Sequence, residues 1–127
     1  MEKYGIHMLD GIFGVTGFQV KSVSCFQAKH TSMMIKNRDN SLIYIDALGN
    51  TSKTLQFDFW SDKTRFHAEA NDNFSMFRRL LADFIEMMRT KKPTVDPGLV
   101  INSMKVLIAA NISRKENREV EIDEITI

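Results

Sequence analysis

Three histidines, one cysteine and the Asp and Glu side chains are the groups of this chain able to move protons, attack a carbon or bind a metal near neutral pH. Imidazole suits the removal of a proton from a hydroxyl, because its pKa lies close to operating pH. His7 stands in the run Tyr4-Gly5-Ile6-His7-Met8-Leu9-Asp10, with Asp10 three residues on, a spacing that puts two side chains on one helix face. Taken without its context, a lone histidine in a short amphipathic helix is more often structural than a base, and Asp10 reads equally as a solvated acid. His30 and His67 have neither a His-x-x-x-His partner nor a carboxylate cluster in sequence, so no metal site is expected and both read as surface or sheet-face residues. Cys25 is the only cysteine, which excludes an intrachain disulfide and a thiolate zinc site. In Val23-Ser24-Cys25-Phe26 it is expected to be a buried, inert thiol.

Three blocks of secondary structure must hold these residues. Ile6, Leu9, Ile12 and Phe13 fall on one face of a short helix that Gly14 and Gly17 stop. From about Phe18 to Ala70 short runs alternate with turn chemistry: Leu55, Phe57 and Phe59 against Gln56, Asp58 and Trp60, then Phe66, Ala68 and Ala70 against Arg65, His67 and Glu69. Ser61-Asp62-Lys63, Asn37 to Ser41 and Leu48 to Ser52 supply the turns. Two helices close the chain. Phe74, Phe77, Leu80, Leu81, Phe84, Met87 and Met88 line a stripe on the first, which Asn71 or Asp72 caps, Pro93 closes and core packing would cover. The second opens with Asp96 and Pro97, and Val100, Met104, Leu107, Ile108 and Asn111 are its expected buried side. A last strand lies near Glu119–Ile122. The fold class is α+β: a predominantly antiparallel sheet of about five to six strands, with two long helices and a short N-terminal helix on one face, in a single domain over 1–127.

The order of these segments resembles the C-terminal domain of the glucose-fructose oxidoreductase / inositol dehydrogenase family. Tyr4 to Asp10 looks like that family's Gly-x-His-x-x-Asp or Gly-x-His-x-x-Glu segment, on the helix that lines its substrate pocket. Asn73-Phe74 through Pro93, then Asp96 through Val120-Glu121-Ile122, is similar to its closing helix, break, helix and short Val-x-Ile strand. The resemblance implies an NAD(P)-dependent oxidoreductase acting on a sugar or polyol, with His7 as the base that takes the hydroxyl proton. It also implies substrate-pocket roles for Asp10 and for Lys3, which stands where many members carry an aspartate. No Gly-x-Gly-x-x-Gly turn occurs here, so the dinucleotide-binding domain is absent. NAD or NADP is expected in a parent enzyme, and no cofactor for this chain alone.

Composition narrows the partners. With 17 basic and 16 acidic residues interspersed along the chain, no basic face points to nucleic acid. No run approaches the roughly eighteen apolar residues of a membrane span, and no signal peptide precedes the first helix, which reads as cytoplasmic. Between Leu42 and Leu48, Leu42, Tyr44 and Leu48 alternate with Ile43, Ile45 and Ala47, so both faces are apolar. Helices cover one face, and a second subunit is the natural cover for the other, giving a homo-oligomer through the open sheet face. Two functions therefore compete: the substrate-binding and oligomerisation domain of such an oxidoreductase, or a free-standing, non-enzymatic dimeric module that keeps the fold.

Overall fold

The alternating runs fold as strands and the periodic ones as helices. A computed structural model of the chain describes residues 5–49 and 55–127. The order is α1 (Gly5–Thr16), β1 (Val20–Gln27), β2 (Thr31–Asn37), β3 (Leu42–Ala47), β4 (Leu55–Trp60), β5 (Arg65–Ala70), α2 (Asn73–Thr90), α3 (Pro97–Glu116) and β6 (Val120–Glu121), then a 3-10 turn at Ile122–Glu124. The fold is α+β, as expected. Two compact units divide it, one built from residues up to Gly49 and from Asp96 onward, the other from the residues between.

The larger unit carries an antiparallel sheet in the order β3-β2-β1-β6. Its register aligns Ile45 with Met33 and Cys25, and Ile43 with Ile35, Val23 and Val120. Most of that face is buried, and α3 packs on β1 while α1 packs on α3. Leu9, Ile12 and Phe13 of α1 complete this core. Gly17 ends α1 in the left-handed region at φ 71°, where the absence of a Cβ removes the steric cost. The Asn37 to Ser41 turn closes through the Ser41 amide and hydroxyl, both donated to the Asp39 carboxylate at 2.9 and 2.7 Å.

Two expectations need correction here. The strands do not form one sheet: β4 and β5 pair only with each other, as a separate two-stranded sheet. The turn expected over Leu48 to Ser52 lies largely outside the described residues. More consequentially, the buried side of α3 is Ser103, Val106, Ala109, Ala110 and Ser113, and Val100, Met104, Ile108 and Asn111 are exposed. Size decides this, because a run of small side chains lets a helix backbone approach the sheet more closely than large ones permit.

The smaller unit holds β4, β5 and α2. Phe59 lies across from Phe66 with ring centroids 6.2 Å apart, which builds one apolar face of the hairpin. Asp72 caps α2 by accepting the Ser75 amide at 3.0 Å, and Lys91 ends it at φ 55°. No residue of α2 is buried. The stripe expected to pack in a core is exposed, and the sheet described in this unit has two strands.

Candidate functional site

The three residues that sequence put forward have different fates. His7 lies on the exposed side of α1, turned away from the Leu9, Ile12 and Phe13 face, and makes no hydrogen bond among the described residues. Asp10 is also exposed, but its carboxylate accepts the hydroxyl of Ser103, 3.1 Å away and fully buried on α3. That contact spans 93 residues of chain and ties the helix bearing His7 to the helix beneath it. Lys3 lies outside the described residues. The structure thus mounts His7 and Asp10 on one firmly seated helix without joining them to each other.

Two clefts accompany this helix pair. The larger, about 330 Å³, is bordered by Phe18, Gln19, Arg38, Asn102, Lys105 and Asp123, and does not include His7 or Asp10. Across its mouth Arg38 donates to Asp123 at 3.1 Å, an exposed pair of the kind worth little in water. The smaller, about 150 Å³, lies over Ser24, Cys25, Ser113 and Arg118. Burial there pushes the Cys25 thiol up, with nearby Arg114 opposing, so the thiolate that would be reactive is disfavoured. Beside it the Ser113 hydroxyl accepts the Cys25 amide at 2.8 Å and donates to the Arg118 carbonyl at 2.5 Å.

Neither the Asp10–Ser103 contact nor the Ser113 junction was visible in the sequence, since a serine inside a helix carries no mark of a partner about ninety residues away. His67 has more company than its local sequence indicated. Across the hairpin its Nδ1 lies 2.7 Å from Asp58, and its Nε2 lies 3.6 Å from Glu69. The hydrogen bond with Asp58 raises the histidine pKa and lowers that of the aspartate. No cluster of His, Cys, Asp and Glu able to hold a metal occurs among the described residues, nor is any helix among them long and apolar enough to cross a membrane.

With this geometry in hand, the fold can be compared with known proteins. No protein-family model matches the chain, and no curated protein does. Solved structures do match, and two of them are assigned as oxidoreductases. One, from Thermotoga maritima, is assigned as a probable dehydrogenase: TM-score 0.74 at 17% identity, over 94% of this chain and 48% of that one. Another, from Desulfitobacterium hafniense, is assigned as an NADPH-dependent oxidoreductase: TM-score 0.76 at 14% identity, over 98% of this chain and 48% of that one. At such identities the likeness is one of fold, and the chain spans about half the length of each.

The starts of α2 and α3 do not fit the pyrophosphate of a nicotinamide dinucleotide. Such a pyrophosphate needs free amides at a helix N-terminus, approached through a glycine-rich turn. The first turns of α2 and α3 are instead capped by Asp72 and Asp96, whose carboxylates accept the Ser75 and Gly98 amides at 3.0 Å. Each places a negative charge where a phosphate would sit.

Proposed function

We propose that this chain is the substrate-binding and oligomerisation domain of a cytoplasmic NAD(P)-dependent oxidoreductase that acts on a sugar or polyol. The observation that carries this reading is coverage: 94% and 98% of the chain superposes on 48% of two oxidoreductase chains. The arrangement around α1 supports it. His7 is presented outward on a helix seated by Leu9, Ile12 and Phe13 and tied down through Asp10 and Ser103, so a second surface can close over the imidazole that this helix carries. In that closed site His7 would accept the proton of the carbinol hydroxyl, and Lys3 and Asp10 would flank the substrate. The dinucleotide that would take the hydride from the carbinol carbon belongs to the covering half, and the chain by itself is catalytically incomplete.

The test is His7→Ala in an enzyme that carries this domain together with its nucleotide-binding half. Turnover should fall by about two to four orders of magnitude, the usual worth of a positioned acid–base group. The affinity for substrate should change much less, because the lost interaction is made in the transition state. A variant that turns over at the parent's rate would return His7 to a structural role.

A further inference from the structure

The larger cleft has no part in the proposed function, and every residue that borders it belongs to the larger unit. Its walls come from the α1–β1 connection, the end of β2, α3 and the 3-10 turn. The connection and β2 are joined across the rim, where the Arg38 amide donates to the Gln19 carbonyl at 2.8 Å. A volume of about 330 Å³ falls at the small end of the range for ligand sites. Val20 and Ile122, both buried, are apolar lining, and so is Phe18, whose ring meets that of Phe13 edge-on at 5.1 Å. Asn102 and Lys105, three residues apart, share one face of α3.

The charges of the cleft are unequal. Arg38 and Lys105 stand against Asp123, and Asp123 is bound by Arg38. Lys105 is half-buried and makes no hydrogen bond or ion pair among the described residues. The acids of the surrounding elements are engaged elsewhere: Asp10 with Ser103, Asp39 with Ser41, Glu119 with Ser22, Glu116 and Glu124 with Arg118, and Glu121 with the Glu124 amide. Lys21 and Lys36, the remaining charges of β1 and β2, are cations. A single ammonium without a counter-charge thus lies beside an apolar wall. We propose that the cleft binds a small organic carboxylate, with its apolar body on Phe18, Val20 and Ile122 and its carboxylate on Lys105. A phosphate fits less well, since its second charge would find Arg38 already taken and Asp123 facing it.

Nuclear magnetic resonance of the full chain at low ionic strength, with benzoate, benzyl alcohol and inorganic phosphate as probes, tests this. Benzoate should shift the amides of Phe18, Gln19, Lys105 and Asp123 saturably, with a dissociation constant in the millimolar range expected of so small a ligand. Benzyl alcohol keeps the ring and phosphate keeps the charge, and each should bind about tenfold more weakly. Lys105→Met retains the stem and removes the ammonium, and should weaken benzoate by about tenfold, the worth of one hydrogen bond to a charged group. Lys115→Met, in the last turn of the same helix, should leave it unchanged. Asp123→Asn removes the opposing charge and frees Arg38, so it should tighten benzoate about threefold. No saturable shift at tens of millimolar, or equal weakening by the two lysine variants, would overturn the proposal. So would benzyl alcohol or phosphate binding as well as benzoate. Should Lys105→Met fail to fold, Asp123→Asn still decides, because unchanged or weaker binding in that variant is incompatible with an anion in the cleft.

Discussion

Replacing Ser113 with alanine should be among the costlier removals of a single oxygen atom from this chain. The side chain is 2% exposed, accepts the Cys25 amide at 2.8 Å and donates to the Arg118 carbonyl at 2.5 Å. It thereby stands in for a sheet neighbour: β6 pairs with β1 only at Ser22 and Val23, so the Cys25 amide beyond would otherwise be orphaned. Alanine leaves that buried amide unpaired, at a cost of about 1–3 kcal/mol. The Arg118 carbonyl belongs to an exposed residue, can turn to water, and adds about 0.5 kcal/mol. The better helix propensity of alanine returns roughly half a kilocalorie. The expected loss is about 1–3 kcal/mol, with the melting midpoint falling by roughly 3–12 °C for a domain of this size. Ser103→Ala is the control. Ser103 is equally buried, but its partner Asp10 is exposed and rehydrates, so that variant should lose less than about 1 kcal/mol. Urea unfolding followed by far-ultraviolet circular dichroism gives both values, and hydrogen exchange at the Cys25 amide should accelerate in Ser113→Ala alone. A loss under about 0.5 kcal/mol for Ser113→Ala, or a larger loss for Ser103→Ala, would refute the account of the β1–α3 junction.

Two further outcomes are expected. Tyr44→Lys with Leu48→Lys, at positions 66% and 49% exposed, should leave the fold intact and reduce the sedimenting mass at tens of micromolar by removing the sheet-face contact, whereas Ile43→Lys with Ile45→Lys buries an ammonium and should unfold the larger unit; equal behaviour of the two pairs would remove the basis for the sheet-face interface. His67 is raised above its ordinary 6.5 by Asp58, and Asp58 is lowered below 3.8 by His67. The histidine's contribution is full below pH 6.5 and is lost as pH rises through its folded value, while the aspartate's is present above pH 3.8 and is lost as pH falls through its own. The hairpin contact is therefore fully formed between these limits. A nuclear magnetic resonance titration of the His67 ring should show a midpoint above 6.5 that Asp58→Asn brings back toward it, and an unmoved midpoint would contradict the assignment.

Local signals made much of the fold legible. Strict alternation located β4 and β5, because a period of two leaves little else for Leu55 to Trp60 and Arg65 to Ala70 to be. Asp96 followed by Pro97 marked the start of α3, since each residue answers a requirement of the first helical turn. What failed was anything that depends on distance. Hydropathy picked Val100, Met104 and Ile108 as the buried side of α3, but burial followed the small residues Ser103, Ala109 and Ala110. Closeness of approach selects for size, and a hydropathy count carries no information about it. The stripe on α2 was likewise visible as a stripe, while its destination was not.

The site shows the same division more sharply. The family resemblance, not residue type, singled out His7, and the contact that ties its helix down, Asp10 with Ser103 from 93 residues away, has no local signature. An exposed imidazole competes with water for every proton it could take, so a fixed position is not enough to make a base. Catalytic advantage requires a cover that excludes water and strengthens the interaction with the substrate hydroxyl. The described residues supply the support and no such cover, and the chain spans about half of each oxidoreductase chain it superposes on. On the proposed reading a role for His7 appears only when such a cover is in place, and a preparation of this chain alone that oxidised polyols would contradict that reading.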